Sequence, residues 1–276
     1  MITVDLHSHT SHSHATDSVA AMAASAFEKG LAIFGLSEHS LRPEGYRYAR
    51  NDYQPRLAAG FAGYISEVRV EQARYAGRMR VLLGLELDYF PAEEAFARAA
   101  AEEYSYDYII GGLHFQGTRS FDGGPEDWDG LTGEACHPRF VRYYEDLARM
   151  AGTGLFQIAA HPDLIKLYRP AEFHAWLEKP EALENVATAL RAIQTAGMAM
   201  EVSSAGLRKG LGEPYPAAPL MRLAASMNVP ISFGSDSHAV GDVAGDFDRL
   251  AEYARSFGYT QSVWFAEKTM HTRPFI

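Results

Sequence analysis

The chain has 276 residues, 47% of them hydrophobic and 22% charged, with 25 Lys+Arg against 35 Asp+Glu and a formal net charge of −10. The length suits one α/β barrel and the composition suits a soluble globular protein with a large core. The acidic balance argues against a protein that coats a nucleic-acid backbone, and a lone cysteine, Cys136, excludes an internal disulfide and a Cys-rich zinc module. The opening MITVDLHSHT has no basic region and its apolar run ends at Leu6, so no targeting segment is expected. No stretch approaches about 18 apolar residues, so the expectation is a cytoplasmic protein with no membrane partner.

In chain order, short apolar runs alternate with longer segments of helical period. The runs fall at 3–6, 32–36, 81–87, 108–113, 156–160, 198–202 and 231–234. They are continuous rather than alternating, as strands buried on both faces of a parallel sheet are. The first helix is bounded by Asp17 or Ser18 as N-cap and by Gly30, with Val19, Met22, Ala26 and Phe27 on one face. Further helices are expected near 57–75, 92–103, 138–150, 180–196, 216–227 and 246–257. These alternations predict one domain over 1–276, a closed or nearly closed (β/α) barrel, with an open doubly wound sheet as the alternative.

The residues just past six of the seven runs carry the chemistry; the run 198–202 ends without a metal-binding group. His7 and His9 come after the first, Glu38 and His39 after the second, and Glu86 and Asp88 after the third. His114 comes after the fourth, His161 after the fifth, and Asp236 and His238 after the last. In a parallel barrel all C-terminal strand ends open on one face, so these groups converge. Residues two apart on a strand point to one side, which pairs His7 with His9 and Asp236 with His238. Imidazole and carboxylate together suit Zn, Mn or Fe, and there are too many ligands for one tetrahedral ion. Any one motif alone is weak. Repeated placement of ionisable groups at apolar strand ends is not, because unpaired burial is costly. His137, His174, His271 and Cys136 are read as structural, and Asp88 and Asp163 as groups that orient imidazoles.

In order, DLHSHT, a further histidine before Asp17, SEH, GLELD, GGLH, AHPD and GSDSH resemble the motifs of the polymerase-and-histidinol-phosphatase (PHP) superfamily over nearly the whole chain. SEHS, YDYIIGGLHF, AHPDLIK and EVSSAGLRKG followed by YPAAPLM are most similar to its histidinol-phosphatase branch. The resemblance implies a distorted (β/α)7 barrel, TIM-like, with three divalent ions (Zn, Fe or Mn) at the C-terminal strand ends. It assigns His7, His9, Glu86 and Asp236 to a first ion. Glu86 would bridge to a second, completed by His114 and His161. His14, His39 and His238 would hold the third, with His14 preferred over His12. Glu86, Asp236 and His238 are the catalytic candidates.

The same resemblance implies hydrolysis of L-histidinol phosphate in histidine biosynthesis, by attack of a metal-bridging hydroxide on the phosphate monoester. Arg208, Lys166 and Ser204 are the substrate-binding candidates, Arg208 because its planar fork donates two hydrogen bonds at once. Glu38, Asp88, Asp163, Tyr46 and Phe115 are candidates for the ammonium and imidazole end. The segments 40–54 and 117–133 read as active-site covers. A phosphoesterase for another small ester or a nucleotide, a metal-dependent amidohydrolase and a non-catalytic barrel are the competing classes. The oligomeric state is left open.

Overall fold

The computed structural model describes residues 1–50 and 52–275; Asn51, within the expected cover 40–54, and Ile276 lie outside the described residues. Seven strands form one parallel sheet, β1 (Val4–Asp5), β2 (Ile33–Leu36), β3 (Arg80–Asp88), β4 (Tyr108–Gly112), β7 (Ile158–Ala159), β8 (Ala199–Ser203) and β9 (Ile231–Gly234), in that order. Two short antiparallel hairpins, β5 (Phe115–Gln116) with β6 (Arg119–Ser120) and β10 (Gln261–Ala266) with β11 (Thr269–Pro274), stand outside it.

The sheet curls into a nearly closed barrel with one seam between β1 and β9. The seam carries no full ladder. It is joined by Leu6 N–H to the Phe233 carbonyl at 3.0 Å and His9 N–H to the Ser237 carbonyl at 2.9 Å. Buried Asp5 reinforces it, accepting from the Ser235 amide at 2.9 Å, the Ser235 hydroxyl at 2.6 Å and the Ala244 amide at 3.1 Å. Inside the barrel Val4, Leu6, Ile33, Leu82, Tyr108, Ile110, Ile158 and Ala199 pack together with Val263 and Phe265 of β10. Tyr108 crosses this interior and donates to the Leu6 carbonyl at 2.6 Å. Its ring occupies the space that a side chain at Gly35 or Gly84 would need.

The helices are α1 (Val19–Glu28), α2 (Gln54–Arg74), α3 (Glu94–Glu103), α4 (His137–Gly152), α5 (Pro170–Leu177), α6 (Pro180–Thr195), α7 (Ala205–Arg208), α8 (Ala218–Ser226) and α9 (Phe247–Ser256). Ser18 rather than Asp17 caps α1, accepting from the Ala21 amide at 3.3 Å, and Gly30 follows its end at φ 77°. The expected strand at 156–160 shortens to two residues, Ile158–Ala159. None of the described helices is long and apolar enough to cross a membrane.

The segment 117–133 is not the loose cover that its Gly, Asp and Trp content suggests. Trp128 is fully buried, donates Nε1–H to the Phe121 carbonyl at 2.8 Å, and lies under the Arg139 guanidinium at 4.4 Å. The aromatic ring is an anchor, and it fixes the loop that follows β6.

Candidate metal centre

The strand ends converge as the topology requires. Glu86, near the end of β3, is the hub. Its oxygens lie 3.4 Å from His7 Nε2, 3.5 Å from His9 Nε2, 2.8 Å from His39 Nδ1, 3.6 Å from His114 Nε2 and 3.1 Å from His161 Nε2. Asp236 Oδ1 lies 3.3 Å from His9 Nε2 and 3.8 Å from His7 Nε2. The ring of His14 stands 5.0 Å from His39 and 4.4 Å from His238, centroid to centroid.

His12 goes elsewhere. It turns onto α2, with Nε2 3.3 Å from Glu67, and packs beside Gly60 and Tyr64. Of His12 and His14, it is His14 that lines the cavity over the centre.

Four imidazoles share one habit. Nδ1 of His7 meets Glu201 at 2.7 Å, Nδ1 of His114 meets Asp88, Nδ1 of His9 meets Glu38 at 3.4 Å, and Nδ1 of His238 meets the Asp236 carbonyl at 3.0 Å. An acceptor on Nδ1 keeps the proton there, so that the neutral ring turns its Nε2 lone pair inward. His7 Nε2, His9 Nε2 and His39 Nε2 are buried without a hydrogen-bond partner, and His39 Nδ1 and Glu86 Oε2, though 2.8 Å apart, are not aligned as a hydrogen bond. Buried polar atoms are normally satisfied, so a cluster of orphans aimed at one point fits a divalent ion with an N/O ligand set. Among the described residues three groups have ligand atoms mutually within 4.8 Å: His7, His9 and Asp236; His7, Glu86 and His161; and His9, His39 and His238.

The charges are strongly perturbed. Burial raises the Glu86 carboxyl, but His7, His39 and His114 outweigh it and hold it well below its ordinary value. Burial likewise raises Asp236, and Lys209 and His9 overcome that. Burial alone would depress His9 and His114. The adjacent Asp236 and Glu38 carboxylates push His9 up to about 9, and the Asp88 and Asp122 carboxylates push His114 up to about 9. Burial and the neighbouring His9 bring His39 down to about 4 and His238 down to about 3.

Two of these positions hold left-handed backbone without being glycine, His161 at φ 22° and Asp236 at φ 49°. Such strain costs about 1–3 kcal/mol and persists where the surroundings impose it. At Asp236 the surroundings are identifiable. Arg208 donates Nη1–H to the Ser235 carbonyl at 3.0 Å and Nη2–H to the Asp236 carbonyl at 2.5 Å, and Lys209 Nζ lies 3.2 Å from Asp236 Oδ2.

The other substrate-binding candidates divide. Arg208 lines the cavity of about 600 Å³ above the centre, beside Lys209, Tyr48, Tyr53, Asp122 and Tyr168. Lys166 is fully buried outside that lining, with Nζ held by Asp163 at 2.8 Å, Glu213 at 2.9 Å and the Pro214 carbonyl at 3.2 Å. Ser204 is also buried, its hydroxyl without a partner, at the head of α7. Glu38 and Asp88 face imidazoles, whereas Asp163 holds Lys166. Tyr46 and Phe115 pack with Phe90 in a small cluster of their own.

Glu201 is the residue that sequence reasoning missed. It sits within β8, the strand whose end carries no metal-binding group, and accepts from the His161 amide at 2.6 Å as well as holding His7. Gly234 across the ladder leaves room for its carboxylate. The signal was a glutamate at the centre of an apolar strand facing other ionisable strand ends.

The PHP domain profile matches residues 5–205. A protein of Deinococcus radiodurans named "Probable histidinol-phosphatase" is 31% identical over 96% of this chain and 97% of its own length. The crystal structure of hisK from Listeria monocytogenes matches with a TM-score of 0.78 at 23% identity, covering 89% of this chain and 99% of that one. A histidinol phosphate phosphatase from Lactococcus lactis, solved with Zn, L-histidinol and phosphate, matches with a TM-score of 0.74 at 16% identity over 98% of each chain. With a barrel whose strand ends gather histidines and carboxylates around Glu86, and with that profile spanning most of its length, this chain belongs to the PHP-domain family.

Proposed function

We propose that this protein is a metal-dependent phosphatase that hydrolyses L-histidinol phosphate to L-histidinol and phosphate. The observation that carries the reading is the set of buried, inward-facing imidazole nitrogens around Glu86, in a chain akin over nearly its full length to the Deinococcus protein. His7, His9, Glu86 and Asp236 are assigned to one ion, Glu86, His114 and His161 to a second, and His14, His39 and His238 to a third. Zn, Fe and Mn all suit this donor set. Divalent ions bound there supply Lewis-acid chemistry, bringing the pKa of water toward neutrality and offsetting charge on the phosphoryl oxygens.

The chain's own groups do the rest. Glu201, Asp88 and Glu38 fix the tautomers of His7, His114 and His9, so that their inward nitrogens are free to bind. Glu86 meets histidines carried past β1, β2, β4 and β7, which places its two oxygens between neighbouring ligand groups. Arg208 and Lys209, at the cavity wall beside Asp236, draw in the phosphate dianion, and Arg208 also fixes the strained turn at Asp236. Phosphate release from L-histidinol phosphate, AMP and a phosphodiester, measured side by side, tests the reading. The highest kcat/KM is expected on L-histidinol phosphate; a preference for AMP or the diester overturns it.

A further inference from the structure

Three carboxylates line the cavity above the centre, Glu86, Asp236 and Asp122. The first two turn into the histidine cluster. Asp122 does not. It follows the β5–β6 hairpin on the loop anchored by Trp128, and each of its oxygens accepts from the Tyr48 hydroxyl at 3.1 Å. The cations that act on it are each paired elsewhere, His114 and Arg42 with Asp88 and Lys209 with Asp236. Among the described residues no Lys, Arg or His comes within ion-pair distance of Asp122. Burial accordingly holds its carboxyl above the ordinary range, although His114 and Lys209 pull the other way. A carboxylate fixed by a tyrosine, facing a cavity and with no cation in direct contact, is costly unless a ligand supplies one.

The substrate proposed for this enzyme has that charge. In L-histidinol phosphate a primary ammonium sits on the carbon next to the ester methylene. Drawing its phosphate into a cationic centre brings the ammonium close to the same positive field. An anion not already committed to the centre is needed there, and Asp122 is the lining carboxylate that qualifies. The rings of Tyr48 and Tyr168 line the same space, and aromatic faces favour a cation.

We propose that Asp122, held by Tyr48, binds the ammonium of the substrate's alcohol portion, and so selects phosphate monoesters that carry an ammonium beside the ester. The identity of that alcohol rests on the histidinol-phosphatase reading; the subsite itself rests on the cavity.

The test compares two substrate pairs, L-histidinol phosphate with its des-amino analogue, and O-phosphoethanolamine with ethyl phosphate. Values of kcat/KM and bound metal are measured for the unaltered protein, Asp122→Asn and Tyr48→Phe. The unaltered protein should prefer the ammonium member of each pair by on the order of 10- to 100-fold, the range of a charged hydrogen bond. Asp122→Asn should bring both ratios near one, with metal content unchanged and the des-amino rates within about twofold. Tyr48→Phe should lower the ratios by less. Ratios preserved in Asp122→Asn, or both members of a pair falling together, overturn the proposal. So does an unaltered protein with no preference in either pair. If L-histidinol phosphate is not turned over but the O-phosphoethanolamine ratio collapses in Asp122→Asn, the substrate reading fails and the ammonium subsite stands.

Discussion

Glu86 lies within 3.6 Å of a nitrogen on each of five histidines and is almost fully buried, so its charge is shared by several groups at once. Glu86→Gln keeps the shape and removes the charge. It should lower kcat by more than about 100-fold and reduce bound metal, while circular dichroism shows the fold intact. Asp236→Asn should behave alike. Normal metal content and turnover in both variants would make these carboxylates ordinary ion-pair members. Arg208 has two duties that kinetics can separate. As a phosphate contact, its loss in Arg208→Ala should lower kcat/KM by roughly 2–4 kcal/mol with metal content unchanged. A parallel loss of metal would show that Arg208 acts only through the carbonyls of Ser235 and Asp236. Glu201 escapes a reading of strand ends because it lies within the run 198–202 rather than just past it. A second carboxylate behind an imidazole has no motif; only the barrel's curvature brings it to His7.

At the scale of elements, the segment after β7 is tied to the loop before α8 by one enclosed amine. Lys166 Nζ joins Asp163, Glu213 and the Pro214 carbonyl, and Asp163 also accepts from the Ala217 amide at 2.7 Å. Lys166→Met leaves the buried Asp163 carboxylate without its counter-charge, while Glu213 keeps His174 at 2.8 Å, and should destabilise the fold by about 3–5 kcal/mol, read as a fall in the urea midpoint. The KM of the surviving enzyme should barely move; a selective rise in KM is what a direct substrate contact would give. Most of these elements are legible in the sequence for physical reasons. Parallel strands buried on both faces need continuous apolar runs, and the ligands sit where those runs stop. Several elements are not legible in this way, among them the short α5 and α7 and the β5–β6 hairpin. The β10–β11 hairpin carries no ligand, and although Val263 and Phe265 of β10 are buried, β11 is largely exposed, so no continuous apolar run marks the pair. The loop at 117–133 has the composition of a mobile cover, yet Trp128 buried under two guanidinium groups fixes it.

For the whole molecule, metal loading and folding are linked. His9 and His114 ordinarily titrate near 6.5, and in the metal-free protein they are held up to about 9. Their ion pairs therefore stabilise the metal-free fold fully below about pH 6.5, and that contribution fades as the pH rises through about 9. An ion requires both imidazoles neutral. Loading at pH 7 should thus release protons, measurable by titration calorimetry in buffers of different ionisation enthalpy. The difference in Tm between loaded and chelated protein should widen from pH 6 to pH 9. A difference that narrows over that range would mean these histidines do not meet the metal.

The most direct measurement joins metal content to turnover. Protein purified without chelator is assayed for Zn, Fe and Mn and for phosphate release from L-histidinol phosphate, then again after chelation and after metal is restored. Between about two and three equivalents of metal are expected from the ligand groups around Glu86. Activity should vanish with the metal and return with it. Full phosphatase activity in the chelated, metal-free protein would contradict the account.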